Sequence, residues 1–348
     1  MNRNGTLNHT GDSRSSVWQA LPILDLLLLL IGLLLNLTVL ALYATHRRLR
    51  STFSIYILNL TFASLLFLAL YGPLHILSTT ASGGHWTLSD TACTVFLYST
   101  NAPPAIIIQA HLLIVANRLW ALTRPLHYRH HHTPVTALLL SVTAWVLPHS
   151  ISLPGIVLDA GERPPVTVTG VCMLDVDRLR VWAIVGEILL AIAPIGFMVA
   201  ANVFLLCRQH KRRKQRVARA LSLQRSTRLS VHIRDTEQPT AAGGHLPGKA
   251  ADASKEAQEN AAPREPKGGL LLLAGLTVSL LICWLPSVGF ASVNIFIRVK
   301  LPHAGIRGIA GLLFLLQTAL DPLVLILTSA QLRHATHRLL CSGRCRAQ

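Results

Sequence analysis

This chain is poor in charge. Only 14% of its 348 residues are Asp, Glu, Lys or Arg, against roughly 25% in a soluble domain. Acid is scarcest, with 15 Asp and Glu facing 32 Lys and Arg, for a formal charge of +17. No cluster of metal-ligating residues and no nucleophile–base pair emerges at mutual spacing, which argues against an enzyme and against a metal centre. No internal repeat is visible, which weakens a transporter reading. The first twenty residues are polar and lack the apolar core of a cleavable signal peptide. The first apolar block is therefore expected to act as an uncleaved signal.

Apolar residues fill the space left by charge, at 51% of the chain and a mean hydropathy of +0.47. They fall in seven blocks, read as 21–44, 53–77, 92–122, 135–158, 182–207, 269–297 and 304–328. Each is close to the ~20 residues a helix needs to cross about 30 Å of hydrocarbon. The expected fold is an all-α membrane protein, a seven-transmembrane helix bundle. Residues 1–20 form an N-terminal tail, 21–328 the bundle, and 329–348 a short amphipathic C-terminal helix and tail on the membrane surface.

A charge of +17 on a soluble protein would point to nucleic acid, but its placement points elsewhere. His46, Arg47, Arg48 and Arg50 follow the first block, and Arg124, His127 and Arg129 the third. The run Lys211-Arg212-Arg213-Lys214 follows the fifth, and Arg333, His334, His337 and Arg338 the seventh. These alternate connections share one side, which the positive-inside rule makes cytoplasmic, with anionic membrane lipid as a secondary partner. Asp159, Glu162, Asp175 and Asp177 lie on the other side with the N-terminus. A role in binding nucleic acid is thereby disfavoured. Asn4 and Asn8, in Asn-x-Thr triplets of an outward tail, are glycosylation candidates. The connection 208–268 is long, basic at first, and expected to be disordered from Thr236 to Lys267. Cys341 and Cys345, beside arginines, suit palmitoylation, with free thiols as the alternative.

Several residues, in order, resemble those of the rhodopsin-like (class A) G-protein-coupled receptors. Cys93 precedes Arg118 by the family's spacing, in a triplet that here reads Asn117-Arg118-Leu119. Pro125-Leu126-His127-Tyr128, Trp145, Pro194 and Asn36 match further landmarks. Cys283-Trp284-Leu285-Pro286 is the sixth-helix pattern, and Asp321-Pro322 opens the seventh-helix motif. The resemblance implies a receptor that passes an extracellular ligand's signal across the plasma membrane to a heterotrimeric G-protein. It implies a Cys93–Cys172 disulfide, proline kinks at Pro194, Pro286 and Pro322, and a switch role for Trp284, whose alternative is simple packing.

The departures from the family bear on signalling. Asn117 stands where an acid usually holds the arginine, and Asn202 and Leu325 replace tyrosines that face it. Weaker conformational bias follows, hence raised basal signalling or poor coupling. Ser64 replaces the second-helix aspartate of the family's sodium site. Asp321 with Ser64, Gln317 and Thr318 still offers a sodium ion oxygen ligands, or Asp321 is protonated and hydrogen-bonded, the preferred reading. The ligand pocket is expected in the outer half of the bundle. Thr100 stands where amine receptors carry an aspartate, which disfavours a biogenic amine bound in the usual way. Seventh-span lysine, needed for a retinal Schiff base, is absent. Pro103-Pro104 should distort the cavity wall. Glu187 is the pocket's leading ionisable residue, unless it snorkels or pairs with Arg298 or Lys300. His75, Asn101, Asn294 and Trp284 join it as candidates. The degraded switch also permits a second function, that of a non-signalling scavenger, chaperone or dimer partner.

Overall fold

The computed structural model describes residues 10–80, 86–236, 268–298 and 303–346. Among them, seven helices are long and apolar enough to cross a membrane: Ala20–Thr45, Ser54–Thr80, Asp90–Thr123, Pro134–Glu162, Arg180–Lys211, Leu271–Ile297 and Gly308–Thr328. They are called the first to seventh spans below. A helix satisfies its backbone internally, which is what hydrocarbon demands. The local sequence sets several of the ends. Ser89 caps the third span by accepting from the Ala92 amide, and Thr133 caps the fourth by accepting from Thr136, with Pro134 at its first position. After the seventh span a further helix covers Ala330–Arg346.

Two compact units divide the chain, Met1–Asn202 with Leu270–Gln348, and Val203–Gly269. In the first unit, the first span packs on the second and seventh, and the third on the second and fourth. Leucines such as Leu26, Leu27 and Leu30 of the first span, and Leu138 and Leu139 of the fourth, face outward, where lipid would lie. Polar side chains turn inward instead, Asn36, Asn59, Ser64, His111 and Asp321 among them. Asn36 Nδ2 donates to the Thr318 carbonyl at 2.8 Å, tying the first span to the seventh. Trp145 Nε1 donates to Asn59 Oδ1 at 2.7 Å, tying the fourth to the second. Small residues let helices close up, as expected in lipid. A Cβ on Gly155 would overlap the Trp182 ring.

Three segments carry detail that the hydropathy pattern does not. The first helix begins at Thr10, inside the segment read as a tail. The fifth runs on to Thr236, through the basic half of the connection 208–268. Its Lys, Arg, Gln, Ala and Leu residues are strong helix formers and need no apolar face to propagate. The disorder expected for 236–267 falls almost wholly outside the described residues. The third span is continuous through Pro103 and Pro104, although each removes a backbone donor and crowds the carbonyl one turn back.

The fifth and sixth spans depart from regular α-helix. Glu187–Ile192 and Val293–Ile297 are π-helical. The first of these immediately precedes Pro194, which cannot donate to the carbonyl one turn back, and wider turns are common where the ladder is interrupted.

Candidate functional site

The end of the bundle where the third span starts is closed by the Cys93–Cys172 disulfide, with Cα atoms 5.6 Å apart. Trp86, Leu97 and Val166 pack around it as a small core. Trp86 donates from its amide to the Gly170 carbonyl at 2.8 Å, and Gly170 sits at φ 64°, a left-handed turn that favours glycine. Asp159 anchors the same segment: Arg163 Nη1 donates to its Oδ2 at 2.7 Å, and the Asp175 amide to its Oδ1 at 3.2 Å.

The pocket candidates separate into three fates. Thr100 and Asn101 turn back on their own helix, donating to the Leu97 carbonyl at 2.9 and 2.7 Å. His75 is sealed rather than presented to a cavity. Its Nε2 lies 3.4 Å from Asp25 Oδ2, at 3% and 0% side-chain exposure. Its ring stacks on Tyr71 at 4.8 Å, and a Cβ on Gly311 of the seventh span would overlap it. Asp25 is an acid inside the apolar first span. Glu187 remains half-buried at the π-helical turn and accepts from Ser292 Oγ of the sixth span at 3.0 Å. Among the described residues Glu187 forms no ion pair with Arg298, and Lys300 lies outside them. Asn294 lies half-buried in the facing π-helical turn. Trp284 is buried, 4.6 Å from the Phe314 ring, and its indole N–H makes no hydrogen bond among the described residues.

Deeper, Asp321 accepts from Gln317 Nε2 at 2.6 Å and meets His111 Nε2 at 3.1 Å. His111 was missed by sequence reasoning. Its signal was an ionisable residue inside the apolar run Ile106–Val115, which in a membrane span is a functional pointer by itself. Thr318 Oγ1 donates to the Leu315 carbonyl at 2.8 Å, and Ser64 Oγ is buried with no hydrogen bond. Pro322 is buried beside Asp321, and Pro286 is exposed on the sixth span.

At the opposite, basic end, the Arg118 guanidinium stacks 3.9 Å over the Phe53 ring centroid, a contact of about 0.5–2 kcal/mol. Asn117 is buried and its amide makes no hydrogen bond, so it does not replace the missing acid. Leu119 is half-buried and Leu325 buried. Asn202 Nδ2 donates to Thr277 Oγ1 at 2.8 Å, linking the fifth and sixth spans. His132 stacks on Tyr128 at 4.3 Å and lies over Tyr56 at 5.9 Å. Burial, then the charge of Arg118, pushes its imidazole below the ordinary histidine range. Asn4 and Asn8 lie outside the described residues, as do the side chains of Cys341 and Cys345.

Known sequences place this arrangement. The family described as "7 transmembrane receptor (rhodopsin family)" matches residues 35–325. The dog 5-hydroxytryptamine receptor 1B (Canis lupus familiaris) is 26% identical, across 95% of this chain and 90% of its own length. The human receptor of that name is 26% identical, across 94% and 88%, and that of Didelphis virginiana 28%, across 79% and 74%. The chain belongs to the rhodopsin family of seven-transmembrane, G-protein-coupled receptors, which carry a signal across the plasma membrane.

Proposed function

We propose that this receptor reads a ligand bearing a cationic group at the disulfide end, with Glu187 as the charged contact, and activates a heterotrimeric G-protein at the basic end, where Arg118 lies. The observation that carries the reading is the Ser292–Glu187 hydrogen bond at 3.0 Å. It joins the π-helical turn of the fifth span to the residue that precedes the π-helical turn of the sixth, and such turns cluster at functional sites. A cation that takes Glu187 from Ser292 loosens the sixth span from the fifth at this end, while Asn202–Thr277 still holds them nearer the other. The relatives are named for 5-hydroxytryptamine, and Thr100 offers an ammonium no carboxylate, so such a ligand would have to use Glu187.

The oxidised cysteine pair supports an outward disulfide end, with the N-terminus and its Asn4 and Asn8 glycan acceptors outside. Cys341 and Cys345 are then cytoplasmic acylation sites. Asn117 stands where the family usually has an acid, which supports measurable signalling without ligand. The test is guanine-nucleotide exchange by the full-length receptor, first without ligand and then against 5-hydroxytryptamine and a panel of primary amines and neutral analogues. Basal exchange above receptor-free membranes is expected, and Glu187→Gln should abolish the response to any active amine while sparing the baseline. A neutral agonist indifferent to Glu187→Gln refutes the ligand class. A receptor silent throughout favours the scavenger, chaperone or dimer-partner reading.

A further inference from the structure

Asp321 is held from two sides. His111 of the third span directs Nε2 at its Oδ1 at 3.1 Å, and Gln317, one turn earlier on the seventh, donates to the same oxygen at 2.6 Å. Both partners of the interhelical contact are sealed, at 2% and 1% side-chain exposure. The far side of the imidazole fixes its state. Nδ1 lies 2.9 Å from the Ile107 carbonyl oxygen, and a carbonyl only accepts, so Nδ1 carries a hydrogen. In a neutral ring Nε2 would then present a bare lone pair to a carboxylate oxygen. Such a contact persists only with a proton between the two atoms. With that proton on His111, the pair is an imidazolium and a carboxylate, neutral as a whole, and its positive partner belongs to the protein.

Of the oxygens expected to hold sodium, Asp321 Oδ1 is committed to His111 and Gln317, and Thr318 turns its hydroxyl to its own helix, whereas Asp321 Oδ2, Ser64 Oγ and Gln317 Oε1 are buried with no hydrogen bond among the described residues. What opposes sodium here is therefore charge and not a shortage of oxygens. The family's second carboxylate is Ser64 here. A cation added at Asp321 would lie beside the His111 proton in a medium that screens like charge poorly.

We infer that His111 is the built-in counter-charge of Asp321, a latch from the third span to the seventh that takes the place of a bound cation, so that sodium does not bind at Asp321. Only the signalling half of the test rests on the receptor reading above.

The full-length receptor is compared in sodium chloride and choline chloride at about 150 mM ionic strength. Unfolding temperature is the first readout and ligand-free nucleotide exchange the second. Wild type is expected to unfold at one temperature in both salts. His111→Leu leaves the Asp321 carboxyl with the neutral Gln317 donor and no counter-charge from His111, so it should unfold earlier in choline and recover in sodium. Its basal exchange should rise roughly fivefold or more, the lower end of typical coupling between states. The double variant His111→Leu/Asp321→Leu carries neither charge and should unfold near wild type in both salts. If it is as unstable as His111→Leu, the loss is one of packing and the latch is wrong. A wild type stabilised by sodium, with Asp321→Asn removing the effect, also overturns the inference, as does a His111→Leu receptor matching wild type in both salts. A receptor that drives no exchange in any form refutes the signalling reading, and the unfolding comparison still decides the latch.

Discussion

The Asp25–His75 contact makes an asymmetric prediction. Both side chains are sealed, and neither Asp25 oxygen nor His75 Nε2 has a hydrogen bond besides the 3.4 Å ionic contact. Changing His75→Leu leaves a carboxyl with no partner, and breaking a buried pair in this way costs about 3–5 kcal/mol. Changing Asp25→Leu leaves an imidazole, which can shed its proton and be neutral. Its cost falls to that of one unsatisfied polar group, about 1–3 kcal/mol. Replacing both with leucine removes the problem, since apolar substitutes for a buried pair are often neutral or stabilising. The expected order of stability is therefore double variant, Asp25→Leu, His75→Leu, with the double variant close to wild type. Gly311→Ala should fall with the single variants, because its methyl group would displace the His75 ring. Cys283, a buried thiol, provides the assay. With Cys207, Cys341 and Cys345 changed to serine, a thiol-reactive dye reports unfolding of the purified receptor as Cys283 is exposed. If the double variant loses the sum of the two single losses, the side chains are not coupled and the argument fails.

Two further outcomes follow. Cys172→Ser opens a bond that spans 79 positions of sequence, which should cost about 2–5 kcal/mol. Loss of surface expression and of any agonist response, with Cys93→Ser no worse when added, is the expected pattern in cells. His132 gives a pH dependence. Its folded-state pKa lies below the unfolded value, so below about pH 6.5 the unfolded chain binds a proton that the folded one refuses. Stability should decline as pH falls from neutral through that value, and His132→Phe should flatten this part of the unfolding profile. A steeper decline in His132→Phe would show that another group is responsible.

Legibility in the sequence divided along a physical line. The seven spans could be read because each answers a local demand, namely that a helix in lipid satisfies its own backbone. The disulfide came from the resemblance and from the position of Cys172 between two spans. Cross-helix partners obey no such local rule. His111 and Asp321 lie 210 positions apart, and nothing in the periodicity of either span says that the two meet. His75 was read as a pocket residue, and only geometry makes it the partner of Asp25 in another span. The fifth helix was cut short in the reading because hydropathy marks where the membrane ends, whereas helix propensity continues through Lys211 and beyond. Thr100 and Asn101 were legible as polar residues near the mouth of the bundle. That they spend their donors on the Leu97 carbonyl depends on rotamers, about which composition is silent.

The Asp25–His75 contact also has a bearing on how the chain is made. Asp25 sits in the first helix to reach the bilayer, before His75 has been synthesised. An acid at the centre of a membrane helix costs about 2.5–3.5 kcal/mol on insertion scales, and Asp25, the sixth residue of the span Ala20–Thr45, costs less than that. The leucines from Leu26 to Leu30 offset the cost, but the acid has no partner until the second helix arrives beside it. A chain truncated between the two helices would therefore present a lone carboxyl to lipid.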